Sequence, residues 1–160
     1  MAAVFIEIAT QMGWVPNVFR AMAVAGPDVL AQNWTAYRET VLTGHLSRAL
    51  KEMVGLVVAQ AAGCGYSIAL HRRMLERLGV APEVVIALVR TGDSPHLPLR
   101  ERALLRFAEG YNGDADDPSL LSLEGFGFTA EEMDELTDTV LLTNSLSRFA
   151  CESGLSDTDP

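Results

Sequence analysis

The sequence predicts an all-α fold, and two observations carry that prediction. No stretch alternates apolar and polar residues over six positions, the pattern that a half-buried strand requires. Helix start and stop signals recur instead, with proline in first turns, Ser or Thr at N-caps and glycine at the ends. Hydrophobic residues make up 49% of the chain, yet no apolar run reaches the roughly 18 residues that span a bilayer.

The elements follow in order. The first residues, "MAAVFIEIATQMG", lack a basic start and carry Glu7 inside the apolar stretch, so no signal peptide is expected and the compartment reads as cytoplasm. "GPDVLAQNWTAYRETVLTG" opens a helix at Pro27, where no amide partner is needed, and closes at Gly44. Ser47 is placed to cap the next helix, which stops at Gly63. Another runs over roughly 65–78 and ends at Gly79; Pro82 starts one through about Arg90, and Pro98 one through about Gly110. "GDSPHLP" between them is a loop that leaves His96 exposed. The last helix opens on the capping box Thr129-Ala130-Glu131-Glu132 and runs towards Gly154. The longest irregular stretch is "NGDADDPS". With 160 residues, no internal repeat and no low-complexity linker, a single domain over 1–160 is expected.

Charge removes one class of partner. A formal net charge of -9 argues against nucleic acid, whose binding rests on Lys and Arg neutralising phosphates. From Glu109 to Asp138 there are ten Asp or Glu and no Lys or Arg, read as a solvated face and loop. The two cysteines, Cys64 and Cys151, have no framework spacing and fit free thiols in a reducing compartment.

One stretch carries chemistry. "MVGLVVAQAAG", residues 53–63, has Gln60 as its sole polar side chain, so its helix is apolar all round and belongs in the middle of a domain or in subunit contacts. Glu52 stands at the entrance to this run. Buried, it loses hydration, which disfavours its charged form and suits a proton acceptor; at the polar end of the helix it pairs in solvent with Arg48 or Lys51. Gly63-Cys64-Gly65 breaks the helix and puts Cys64 at the start of the next, where unpaired amides and the helix dipole favour a thiolate. An inert, buried cysteine is the alternative. Ser67 and His71, four apart, share a helix face with Cys64 close by. At about 1.5 Å per residue, Glu52 and His71 lie roughly 16 Å and 12 Å from the break, so a direct bond between them needs crossed axes, or else one water.

The spacing Glu52-x11-Cys64-x2-Ser67-x3-His71 resembles the E-x11-C-x2-C-x3-H signature of the AhpD-like alkylhydroperoxidases, within the carboxymuconolactone decarboxylase superfamily. "GWVPNVFRAM", "LTGHLSRALKEMVGLVVA" and "NSLSRFACESG" are similar to segments of its peroxidase-related branch. The resemblance implies an AhpD-like helical fold assembled as an intertwined homo-oligomer, a trimer or hexamer, acting without metal, haem or other cofactor. It implies a hydroperoxide substrate and a thiol or disulfide reductant; no membrane partner is expected, because no apolar run is long enough to span a bilayer. Glu52 and His71 take the proton-relay positions, often bridged by water, and Cys64 that of the first thiol. Ser67 stands where the family has the second, usually peroxide-attacking cysteine, and a serine hydroxyl does not attack peroxides. Cys64 then acts alone with Ser67 bonded to its thiolate, or the site serves another reaction, or the serine was introduced to trap a state. Tyr66 is a candidate substrate contact or a packing residue. Cys151 either resolves a Cys64 sulfenic acid, which needs Cα atoms within about 7 Å, or packs in the last helix. Two other functions compete with peroxide reduction: a lyase or isomerase using His71 and Glu52 as acid and base, and a non-catalytic oligomeric scaffold.

Overall fold

The computed structural model describes residues 1–111 and 120–157, so the stretch "NGDADDPS" lies outside the described residues. Among them the structure is helical without a strand: α1 Ala2–Met12, α2 Asn17–Ala25, α3 Pro27–Val41, α4 Arg48–Ala61, α5 Gly65–Arg77, α6 Pro82–Thr91, α7 Leu99–Gly110, α8 Leu120–Glu124 and α9 Ala130–Glu152. Among the described residues no helix is long and apolar enough to cross a membrane.

Helix α4 is the centre. Met53 to Ala59 are buried without interruption, as a helix apolar all round requires, while 61–63 at its end are exposed; Leu50, Lys51 and Glu52 before the run are buried too, and α3, α5, α6, α7 and α9 pack around it. Its start is set by Ser47, whose hydroxyl accepts the Leu50 amide at 3.2 Å. Two apolar clusters result. One joins α4 to α6, α7 and the first half of α9 through residues such as Leu56, Leu88, Leu104 and Leu136. The other joins α1, α2 and α3 to α5 through Met12, Phe19, Trp34, Leu70 and Met74, and includes Cys64. Helices α1 and α2, which start without a side-chain cap and end at Gly13 and Gly26, and α8, five residues long, add to the helices expected above.

Helix α3 stops at Val41, earlier than Gly44, for a reason that lies in α4. The buried ammonium of Lys51 donates to the carbonyls of Thr40 (2.8 Å) and Thr43, taking up carbonyls at the helix end and complementing its dipole. Lys51 is therefore not a solvent partner of Glu52. It pairs with Glu135 of α9 at 2.8 Å, and Glu135 also accepts the amides of His45 (2.6 Å) and Leu46 (3.0 Å). Gly44 makes room for this latch: its φ is +101°, and a Cβ there would lie 2.4 Å from the Glu135 carboxylate.

The acidic stretch is thus more than a solvated face. Glu132 closes the capping box with Thr129 and bonds Arg100 at 2.6 Å, and Arg100 lies over the Phe128 ring. Partial burial alone pushes the Glu135 carboxyl up, but the Lys51 ammonium and the His45 and Leu46 amides outweigh it and hold the group at about 2. Because this folded value is below the ordinary one, the latch stabilises above about pH 4.3 and loses its contribution as the pH falls towards 2. Glu135→Gln is expected to lower the unfolding free energy by roughly 2 kcal/mol at pH 7, discounted for the partial exposure of the carboxylate, with the difference shrinking as the pH nears 2. Urea melts of both proteins at pH 7, 4 and 2.5 measure this, and a difference that does not change with pH would remove the charge-based explanation.

Candidate functional site

The site is built where α4, α5 and α9 meet. Glu52 is 1% exposed, which decides against its placement at a solvated helix end. Its Oε1 accepts the Tyr37 hydroxyl of α3 at 2.6 Å, and its Oε2 lies 2.8 Å from His71 Nδ1. The Arg48 guanidinium is a further 3.9 Å from Oε1, while its Nη1 donates to the carbonyl of Gln11. Glu52 and His71 thus meet directly, and the axis geometry that the sequence left open is supplied by Gly55. A Cβ at this position would lie 2.3 Å from His71 Cε1 and 2.6 Å from both ring nitrogens. With only hydrogen there, the imidazole rests on the backbone of α4 and reaches the carboxylate one turn earlier.

The roles in this trio follow from chemistry. Burial, and after it the Glu52 charge, pushes the Tyr37 phenol well above its ordinary value, so Tyr37 remains a donor. A carboxylate accepting from Tyr37 also accepts from His71 Nδ1–H, so Nε2 is the ring nitrogen that Glu52 does not occupy.

A second cluster surrounds Cys64, the N-cap of α5 and 1% exposed. Its Sγ is 3.4 Å from Ser67 Oγ and 3.4 Å from the carbonyl of Ser147 in α9. Ser147 Oγ donates to Ser67 Oγ at 2.9 Å, and the Cys151 thiol, also of α9, donates to Cys64 Sγ at 2.8 Å. Burial works to raise the Cys64 thiol. Its side-chain hydrogen bonds with Cys151 and Ser67, and the backbone bonds of Ser67 and Tyr66, outweigh it and bring the group below its ordinary value. The Cys151 thiol moves the other way, raised by its bond to Cys64 and then by burial. Cys64 is therefore a member of the apolar cluster whose sulfur also has polar partners.

Among the described residues, no hydrogen bond joins His71 to Ser67 or Cys64, so the four expected positions form two adjacent clusters on one face of α5. Tyr66 is 2% exposed, and its hydroxyl accepts the Val18 amide at 2.8 Å, fixing the start of α2 against α5. Tyr37, Gly55, Ser147 and Cys151 are the members that motif spacing does not select. Ser147 and Cys151, four apart on α9, carry a faint signal of a shared face. Tyr37 and Gly55 carry none, since an aromatic in an amphipathic helix and a glycine in an apolar run both read as core. Among the described residues no three His, Cys, Asp or Glu side chains converge as a metal site would need.

A model described as the carboxymuconolactone decarboxylase family matches residues 28–110, a little over half of the chain, and that segment holds Tyr37, Glu52, Gly55, Cys64, Ser67 and His71. Alkyl hydroperoxide reductase Rv2159c of Mycobacterium tuberculosis is 30% identical over 96 residues, 59% of this chain and 27% of that protein. The chain therefore spans about a quarter of the length of the curated relative it matches. Among solved structures, a complex of the debrominase Bmp8 with 2,3,4-tribromopyrrole aligns at TM-score 0.84 and 20% identity, covering 96% of this chain and 83% of the other. A peroxidase-related protein of Ralstonia eutropha JMP134, described as an alkylhydroperoxidase AhpD core, aligns at TM-score 0.84 and 24% identity over 95% and 82%. At such identities the two structures share the fold, and Ser147 and Cys151 lie outside the segment that the family model matches.

Proposed function

The chain belongs to the carboxymuconolactone decarboxylase family, and from that premise we propose that it is a thiol-dependent peroxidase in which Cys64 reduces a hydroperoxide and Glu52 and His71 move the proton. The observation that supports this reading is the Cys64 sulfur at the N-terminus of α5, accepting from the Cys151 thiol at 2.8 Å and lying beside Ser67, in surroundings that lower its thiol below the ordinary value. The thiolate attacks the terminal oxygen of the hydroperoxide, the O–O bond breaks, and the alkoxide leaves as an alcohol, so that Cys64 becomes a sulfenic acid. His71 Nε2 takes the thiol proton and returns it to the alkoxide, with Ser67, one turn earlier on the same face, as the hydroxyl between them. Glu52 holds the imidazole in the tautomer that leaves Nε2 free and offsets the charge that His71 gains. The 1% exposure of Cys64 favours small substrates, so hydrogen peroxide is expected to react faster than cumene hydroperoxide.

The test is direct. The reduced protein is expected to consume one equivalent of hydrogen peroxide per chain with loss of titratable thiol, and Cys64→Ser to abolish this. Thiol titration and peroxide assay read both, and a wild-type protein inert to peroxide would sink the proposal. A second reading rests on the missing bond between His71 and the Cys64 cluster: His71 and Glu52 act as acid and base on a small organic acid, and the thiol is incidental. It gains if Cys64→Ala retains turnover of such a substrate while His71→Ala loses it.

A further inference from the structure

We propose that Cys64 and Cys151 form a reversible dithiol–disulfide pair, so that Cys151, from the far end of the chain, takes the place of the thiol that Ser67 lacks. This rests on the peroxidase reading for the source of the oxidising equivalent, though the pair itself stands on geometry. The two sulfurs are 87 residues apart in sequence and 2.8 Å apart in space, with no atom between them. Both thiols are free, and closing the bond needs a movement of under about 1 Å.

The two sulfurs are also different in a way that suits the task. Cys64 is buried and is the thiol held below its ordinary value, whereas Cys151 is exposed and holds its proton. Cys64 is therefore the nucleophile and Cys151 the resolving thiol. After peroxide has converted Cys64 to its sulfenic acid, the Cys151 sulfur attacks the Cys64 sulfur, an S–S bond forms, and hydroxide leaves and takes the Cys151 proton as water. A dithiol reductant then attacks the exposed Cys151 sulfur. This breaks the S–S bond and releases Cys64, the better leaving group because its thiolate is the more stabilised one. The second thiol of the reductant displaces Cys151, and the reductant departs as its own disulfide. Ser147 holds this arrangement from α9: its hydroxyl fixes Ser67 and its carbonyl abuts Cys64, one turn before Cys151 on the same helix.

Two oxidants separate this proposal from the function on which it builds. Reduced wild-type protein is treated with hydrogen peroxide or with diamide, which oxidises dithiols without peroxide, and digested without reductant for mass spectrometry. Both are expected to give a peptide linking Cys64 to Cys151, reversed by a dithiol. In Cys151→Ser, peroxide is expected to leave a sulfenic acid on Cys64 that a probe labels, and turnover with a dithiol to fall at least tenfold. In Ser67→Cys, the link is expected to divide between positions 67 and 151. Linkage by diamide but not by peroxide keeps the pair and overturns the peroxidase. Sulfenic labelling of Cys64 in wild type, equal to that in Cys151→Ser and with no linked peptide under either oxidant, keeps the peroxidase and overturns the pair.

Discussion

Gly55→Ala is expected to destabilise the protein by about 2 kcal/mol and to uncouple His71 from Glu52, although alanine is the better helix former by about 1 kcal/mol. The reversal of sign comes from the neighbour across the helix pair. The new methyl would sit 2.3 Å from His71 Cε1, and what it meets is a ring bonded through Nδ1 to a buried carboxylate, so it cannot swing aside without losing that bond. Either α4 and α5 move apart or the imidazole leaves Glu52, and the second outcome strands a buried acceptor. Thermal melts give the stability, and the pseudo-first-order rate of thiol loss with peroxide gives the site. A double substitution makes the cause explicit. In a Gly55→Ala, His71→Ala protein the clash is gone, so its destabilisation is expected to be smaller than the sum of the two single effects by at least about 1 kcal/mol. Additive effects would assign the glycine to something other than the histidine.

Glu52→Ala is expected to be more damaging still, lowering stability by about 3–5 kcal/mol and slowing Cys64 oxidation by about 10²-fold or more. Removing the carboxylate leaves the Tyr37 hydroxyl and the His71 Nδ1–H buried without an acceptor, and leaves Arg48 beside an uncompensated space. Tyr37→Phe separates the two effects. It removes one donor and leaves the Glu52–His71 bond, so a loss of about 1–2 kcal/mol with most of the reactivity retained is expected. Stopped-flow peroxide consumption and chemical denaturation of the three proteins decide it. Should Glu52→Ala react with peroxide at the wild-type rate, the relay has no part in the thiol chemistry.

The readings that came from the sequence and those that needed the structure differ by the range of the physics involved. Proline at Pro27 and Pro82, the Ser47 cap and the Thr129 box act within a turn of helix, so their elements stood where they were expected. Burial of residues 53–59 followed from the absence of a polar face there, whereas Gln60 is half-buried and 61–63 are exposed at the helix end. The end of α3 did not, because Lys51 and Glu135 set it from other helices. A lysine and a glutamate in a polar-looking stretch give no sign that they will be buried together.

The same division runs through the site. By itself the sequence determined the all-helical class, the order of the main helices and the placing of Glu52, Cys64, Ser67 and His71 along two consecutive ones, because helix periodicity and local capping are properties of near neighbours. Only the tertiary structure decided whether those four are one site. It put Gly55 under His71 so that a bond of 2.8 Å forms across the pair, brought Tyr37 onto the carboxylate, and gave Tyr66 to the packing of α2. It also set Cys151 against Cys64 across 87 residues of chain. Contacts of that kind depend on how closely two helices approach and at what angle, and those are fixed by the packing of side chains from the whole domain rather than by any spacing along it.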